Sequence, residues 1–383
     1  MYKIRNENGS AILIALCIMS MLTIIALSAV KTSNTDVELS YNQLHGDQAF
    51  YVAEAGYKRA ISEIQADSSW NKGLTKEPFG AGFFSVAITD SFAVPALFDT
   101  IIIASTGQAR DAESSVEVVT IPDYIYPFKY ALFADGPLQI MNSMETDSYN
   151  SDSGSYDSTV DSLFGDIGSN DSIYIENGAY IGGDVVTSLD SGLNVNIGAT
   201  VIGNLSDEAP PQVLEPIPQS DFDSAMAFNA APAGLSGSYA LVGDKITVSS
   251  GNLELSDGIY YFSSIILKNS ASLTIAPGAK VTIYVEGNVE IKNSGGVNVG
   301  GVPGDLMFYS RGDVILKNSG DLYGVFYAPN GKADLRNSAD FYGSIASATM
   351  IGHNSSKFHY DRTLGKIKDG QTGKRLVVAW KEL

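Results

Sequence analysis

Residues Ser10 to Val30 read SAILIALCIMSMLTIIALSAV, twenty-one positions without a charge. At about 1.5 Å per residue, a helix of this length spans the roughly 30 Å hydrocarbon core of a bilayer. Lys3 and Arg5 precede the run, and Lys31 after it is soon followed by Asp36 and Glu38. That bias predicts a cytoplasmic N-terminus and export of everything beyond residue 30. A cleaved secretory signal fits less well, because its apolar core is about 7 to 15 residues long. From Asn34 to Gln65 there is no proline, and Val37, Tyr41, Leu44, Ala55, Ile61 and Ile64 fall largely at spacings of three, four and seven. One continuous helix is expected over 10–66, its first half in the membrane and its second half amphipathic outside it.

The balance of 24 Lys plus Arg against 43 Asp plus Glu gives a formal charge of −19. Such a chain repels phosphate backbones, so nucleic acid is not an expected partner. The single cysteine, Cys17, lies inside the apolar run, and the three histidines (His45, His353, His359) are scattered. No disulfide framework and no Cys-based zinc site can be built from one chain, and no metal or cofactor is expected.

Several of these residues together resemble a family. A short leader ends at Gly9, the small residue Ser10 opens the apolar helix, and Gln48-Ala49-Phe50-Tyr51-Val52-Ala53-Glu54-Ala55-Gly56 follows within it. This is similar to PilX-type assembly proteins of type IV pili over about residues 1–66, and weakly to 125. The resemblance implies cleavage after Gly9 by a prepilin peptidase, methylation of the Ser10 amine, and packing of the helix among other pilins in a filament core. It implies filament-packing roles for Ile14, Ala53, Glu54, Ala55 and Gly56. Most type IV pilins carry a glutamate where this chain has Ile14. A carboxylate in the bilayer is costly without a partner amine ahead of it, so its lack points to a minor or tip-type subunit.

Beyond the helix, Phe83–Ala87, Thr100–Ile103 and Ser114–Ile121 read as short strands of a small antiparallel sheet within 67–127. Then one pattern recurs: apolar, any, apolar, usually a long polar residue, Asn, then Ser or Gly. Its asparagines are Asn142, Asn177, Asn269, Asn293, Asn318 and Asn337. The last four are 24, 25 and 19 residues apart, a solenoid coil length. Stacked coils would bury the apolar positions and line the asparagines up at one corner, where Asn tolerates a left-handed turn. This region also looks like bactofilin-type polymer-forming repeats. The expected fold class is α+β: the long helix and small sheet, then a mainly-β right-handed parallel β-helix. The expected divisions are a leader at 1–9, the helix at 10–66, the sheet at 67–127, a first solenoid part at 128–206, a second at 235–362 and a C-terminal cap or tail at 363–383. Between the solenoid parts, 207–234 holds five of the thirteen prolines and reads either as an excursion forming a cap or hinge or as a flexible linker.

Lys268, Lys292, Lys317 and Arg336 each precede a repeat asparagine, so stacking would gather them into a basic stripe able to meet an anionic glycan or an acidic neighbour, or serving only to keep the face solvated. Asn150, Asp152 and Gly154 weakly resemble a calcium loop, without the closing ligand. Asp305, Asp313, Asp321, Asp334 and Asp340 are the carboxylates available to a polysaccharide-cleaving site, yet each sits in repeat context. His359-Tyr360-Asp361-Arg362 reads as a segment covering the last coil, with a catalytic cluster as the alternative. The reading is a non-enzymatic pilus assembly protein, a minor pilin or tip-type pseudopilin. It is expected in the bacterial inner membrane and then at the pilus surface, displaying the solenoid for assembly or adhesion. The alternative is a surface-anchored β-helix that binds or cleaves polysaccharide, and a third is an envelope protein polymerising through its solenoid.

Overall fold

The computed structural model describes residues 8–67, 70–90, 100–124, 126–292, 295–317, 319–336, 340–353, 355–368 and 371–383. The chain forms two units. One runs to Tyr124 and includes Gln371–Leu383; the other is Ile125–Gly370.

In the first unit, helix α1 (Asn8–Ala66) is 59 residues, about 88 Å, long. Its C-terminal part packs on an antiparallel sheet of β1 (Leu74–Phe79), β2 (Gly82–Asp90), β3 (Ile101–Ala109) and β4 (Ala112–Tyr124), followed by the C-terminal strand Gln371–Glu382. Small residues let helix and sheet approach closely. The Ser105 hydroxyl donates to the Ala53 carbonyl at 2.7 Å, and a Cβ on Gly107 would stand 2.2 Å from the Ala49 carbonyl oxygen. Val52, Ala60 and Ile64 meet Phe84, Val86, Ile101 and Ile103 in the core. The tail expected at 363–383 is therefore corrected. Residues 371–382 pair with β4, which would otherwise leave a 13-residue edge unpaired, and Leu376-Val377-Val378-Ala379-Trp380 is a strong strand former.

The second unit is a three-sided stack of parallel strands. On one side, the A face, nine strands follow one another among the described residues: 245–248, 264–267, 289–292, 314–317, 333–335, 350–352, 138–140, 173–175 and 193–195. At about 4.8 Å per strand this face is about 38 Å long. The B face carries the column Leu253, Leu273, Val297, Leu322, Phe341, Phe358, Thr146, Ile181 and Val201. The C face carries Tyr260, Ile283, Phe308, Phe326, Ile345, Leu132, Ile167, Val185 and Leu205. Side chains alternate in and out, so the columns bury one residue per coil through the body of the stack, apolar except at Thr146, as Ile283, Ile345, Leu132 and Ile167 show with no exposure.

The coils are not stacked in chain order. The chain enters mid-stack near Phe128, runs to one end by residue 206, crosses back to the far end, and returns from 235 until 340–361 closes on 132–149. Met350 then lies beside Leu138, Ile345 beside Leu132 and His359 beside Asp147. Two expectations change. His359 to Arg362 does not cover a last coil, because 357–361 is paired on both sides, with 340–342 and with 145–149. The Pro-rich segment is neither hinge nor loose linker. It is a strap laid along the C face, whose outward row Tyr261, Tyr284, Tyr309 and Tyr327 is in register from coil to coil.

Several coils grip the strap. The Gln212 amide N–H donates to Asn170 Oδ1 at 2.9 Å, and the Tyr327 hydroxyl donates to the Glu215 carbonyl at 2.6 Å. Arg311 donates to the Gln219 side chain at 2.8 Å and lies 4.0 Å over the Phe222 ring. Phe222, on the helix Gln219–Ala227, is fully buried against Tyr284 at 5.5 Å between centroids. Prolines suit this path because a strap crossing strands at right angles cannot join their ladder. Replacing Phe222 by Ala is expected to cost about 3–5 kcal/mol, read as a lower denaturation midpoint of the coil stack, whereas Phe228→Ala at an exposed position on the same segment is expected to cost under about 0.5 kcal/mol.

Candidate functional site

Two surfaces and one buried cluster carry the chemistry. The first surface is the N-terminal part of α1. Ile12, Leu13, Leu16, Met19, Leu22, Ile25 and Leu27 are each about three-fifths or more exposed, and they surround the helix. Among the described residues this is the helix long and apolar enough to cross a membrane. Gly9 and Ser10 lie in its first turn, and Ile14 is 59% exposed. The filament-packing set is corrected in part. Ala53 is fully buried inside its own unit, and a Cβ on Gly56 would stand 2.2 Å from Ser105 Oγ, so both serve the helix-to-sheet contact. Glu54 pairs with Lys58 at 3.0 Å, one turn on, while Ala55 lines a groove of about 420 Å³ with Arg59, Leu74, Pro78, Phe79 and Phe84.

The second surface is the A face. Its central outward row runs Thr247, Ile266, Glu290, Ile315, Asp334, Ile351, Gln139, Tyr174 and Asn194. Two residues further along each coil, Lys292 stands beside Lys317, and the registers Leu267 with Ile291 and Leu316 with Leu335 put Lys268 and Arg336 on the same line. The basic row is half neutralised. Lys292 pairs with Glu290 of its own coil, Arg336 with Asp334 at 2.8 Å, and His353 Nε2 reaches Asp334 at 3.3 Å. Burial pushes the Asp334 carboxyl up, but the hydrogen bond and charge of Arg336, with His353 and Lys317, outweigh it and hold Asp334 below the usual carboxylate range.

At the corner after the A face lie Asn142, Asn177 and Asn269, while Asn293, Asn318 and Asn337 fall outside the described residues. Asn142 and Asn269 have positive φ, 21° and 57°. The Asn269 amide donates to the Ser249 carbonyl of the next coil at 3.1 Å, and Asn177 Oδ1 accepts from the Gly198 N–H at 3.3 Å. A second ladder lies outside the repeat pattern of the asparagines. Asp166 Oδ1 accepts from the Asp184 N–H at 2.7 Å, and Asp184 Oδ1 from the Asn204 N–H at 2.6 Å. The same device joins Asn288 to Asp313 and Asp313 to Lys332, each at 2.9 Å. Its signal was Gly-Asp or Gly-Asn before a β-branched or leucine residue, as in Gly183-Asp184-Val185.

The buried cluster sits where the two ends of the second unit meet. His359 Nδ1 and Asp147 Oδ1 are 2.6 Å apart, the Tyr156 hydroxyl donates to Asp147 Oδ2 at 2.6 Å, and Asp340 Oδ2 is 3.7 Å from His359 Nε2. The Tyr156 and Tyr342 rings lie 4.2 and 4.5 Å from the imidazole and enclose it. Burial, with the bond to Asp147, pushes the Tyr156 phenol up. Asp361 is fully buried and accepts from the Ser151 and Thr363 N–H groups at 3.2 and 3.1 Å. These contacts pin the 150–164 loop over the joint between coils and leave the imidazole no open face for a substrate. Asp313, Asp334 and Asp340 lie at separate corners and faces of the stack and do not converge. Asn150 and Asp152 shape a turn, with Asp152 3.6 Å from Lys366, and no group of three or more metal-ligating side chains occurs among the described residues.

The second coil series matches, over residues 235–367, the sequence profile of a family described as a domain of unknown function, DUF7305. No curated protein matches the chain. Among solved structures, the competence-associated pilin ComZ from Thermus thermophilus is similar at 13% identity and TM-score 0.31, covering 88% of this chain and 97% of that one. The ice-binding protein LeIBP from an Arctic yeast is similar at 12% identity and TM-score 0.33, covering 62% and 93%. A Shewanella frigidimarina ice-binding protein domain follows at 14% identity and TM-score 0.30, covering 63% and 97%. These likenesses concern the fold alone.

Two measurements check the site's energetics. Because the Asp334 pKa is depressed on folding, its contribution is present above the unfolded value near 3.9 and is lost as pH falls through the lower folded value. Asp334→Asn is therefore expected to lower stability at pH 7 by up to about 1 kcal/mol and to flatten acid unfolding below pH 4. His359→Ala is expected to cost about 1.5–3 kcal/mol in denaturant titrations, since it removes a hydrogen bond to a carboxylate.

Proposed function

We propose that this chain is a non-enzymatic, pilin-type assembly subunit held in the inner membrane by residues 10–30, presenting the coil stack outside the cytoplasm for assembly or adhesion. The observation that carries this reading is α1 itself. One unbroken helix is uncharged and largely apolar on every side over residues 11–30, then amphipathic where it packs on a small antiparallel sheet. A helix apolar all round needs a lipid or protein environment along its whole girth. On this reading Gly9 and Ser10 are the site of prepilin peptidase cleavage and methylation, other pilins and the assembly machinery are the partners, and Ile14 in place of a glutamate fits a subunit near a tip. Right-handed winding of the coils is expected from the handedness of parallel crossovers. The A-face row of Lys268, Lys292, Lys317 and Arg336 favours a surface glycan with anionic groups as the adhesion ligand, in an otherwise acidic protein.

Mass spectrometry of the native N-terminus tests the reading. A chain beginning at methylated Ser10 and recovered with sheared pili is the expected result; an intact Met1 on a protein found only in the cytosol contradicts it.

A further inference from the structure

We infer that the end of the coil stack formed by residues 193–206 is a docking site for a positively charged, strand-forming partner. Three strands close this end: Leu193–Val195, Thr200–Val201 and Leu205–Ser206. Among the described residues each pairs on one side only, with 173–175, 180–181 and 185–187. Their outer edges present backbone donors and acceptors with no strand beyond them. The C-face column stops uncovered here. Leu205 is 53% exposed, whereas the equivalent Val185 and Ile167 one and two coils back have no exposure, and Ile197, at the corner position that Asn177 holds one coil back, is fully exposed.

The opposite end is treated differently. There Leu235–Gly237 lies antiparallel on 253–255, and Ala240–Val242 antiparallel on 245–247, so the first parallel coil is covered. Stacked repeats need such a cover, and exposed edges are otherwise blunted by lysine, proline or a bulge. None of the residues 193–206 is lysine or proline.

Charge identifies the occupant. From residue 130 to residue 244 the chain holds 17 Asp and Glu and not one Lys or Arg. At the open end Asp190 and Glu208 are exposed, and Asp207 accepts from the Ser191 N–H at 3.2 Å. Two copies joined open end to open end would press these acids together, so a second copy is disfavoured. An extended segment that continues the Leu205–Ser206 ladder with its backbone, covers Leu205 with an apolar side chain and sets Lys or Arg against Asp190 and Glu208 satisfies all three features.

The test titrates two synthetic peptides into the full chain in detergent micelles: one alternating valine with lysine, the other valine with glutamate. The lysine peptide is expected to bind at least tenfold more tightly than the glutamate peptide and to slow amide exchange across 193–206. Asp190→Lys with Glu208→Lys, both at exposed positions, is expected to weaken the lysine peptide at least tenfold, and Leu205→Ser to weaken both peptides. Equal binding of the two peptides, no binding of either, or binding unmoved by the charge reversals overturns the inference. So does sedimentation showing self-association that Leu205→Ser abolishes.

Discussion

The second unit depends on one constraint: a parallel coil inside the stack must have another coil against each of its edges, or its backbone polar groups go unpaired. The chain meets it by closing late residues on early ones. Phe341, Phe358 and Thr146 continue a single buried column although Phe358 and Thr146 are more than two hundred residues apart. The His359–Asp147 contact and the Tyr156 lid lie over this joint, where polar atoms cut off from water need partners most. The strap follows from the same topology. A chain that has built coils toward one end has to travel the length of the stack before building from the other, and the tyrosine row on the C face gives that crossing an apolar bed.

The three sides then take different roles. The C face is occupied by the strap, and the B face is partly covered by the 150–164 loop. The A face stays open and carries bases that its own Glu290 and Asp334 half neutralise. Because the early coils have acids and no bases, while the later ones hold all the lysines of the A-face row, the stack is electrically uneven along its axis. Like charge keeps the acidic end from its own copies, and an edge of unpaired strands marks it for something else.

Much of this was legible in the sequence, and the unread parts have physical causes. The charge-free run from Ser10 to Val30 and the helical spacing after it describe α1 well, and the recurring apolar-x-apolar-polar-Asn pattern identifies strands of stacked coils. Coil order was hidden because every coil repeats the same alternation, so any coil edge is locally compatible with any other. Only covered ends and the strap decide which meet. Asp147 and His359 lie 212 positions apart, and no local pattern links them. The pilin resemblance implies filament packing for Ala53 and Gly56, and it cannot distinguish packing against another subunit from packing within the chain; Ser105 and Gly107 on β3 are what they meet. The C-terminal strand is legible in the β-branched and aromatic run from Leu376 to Trp380, but nothing local says that a segment after the repeats returns to β4.

Cysteine cross-linking across the joint tests the coil order most directly. With Cys17 replaced by Ser, Gln139→Cys and Ile351→Cys would stand on neighbouring parallel strands, within the roughly 4.4–6.8 Å between Cα atoms that a disulfide requires. Ready formation of that disulfide under mild oxidation is the expected result, together with none between Asn194→Cys and Thr247→Cys, which this topology puts at opposite ends of the A face. A stack built in chain order would bring the second pair together and part the first, and that outcome would contradict the account.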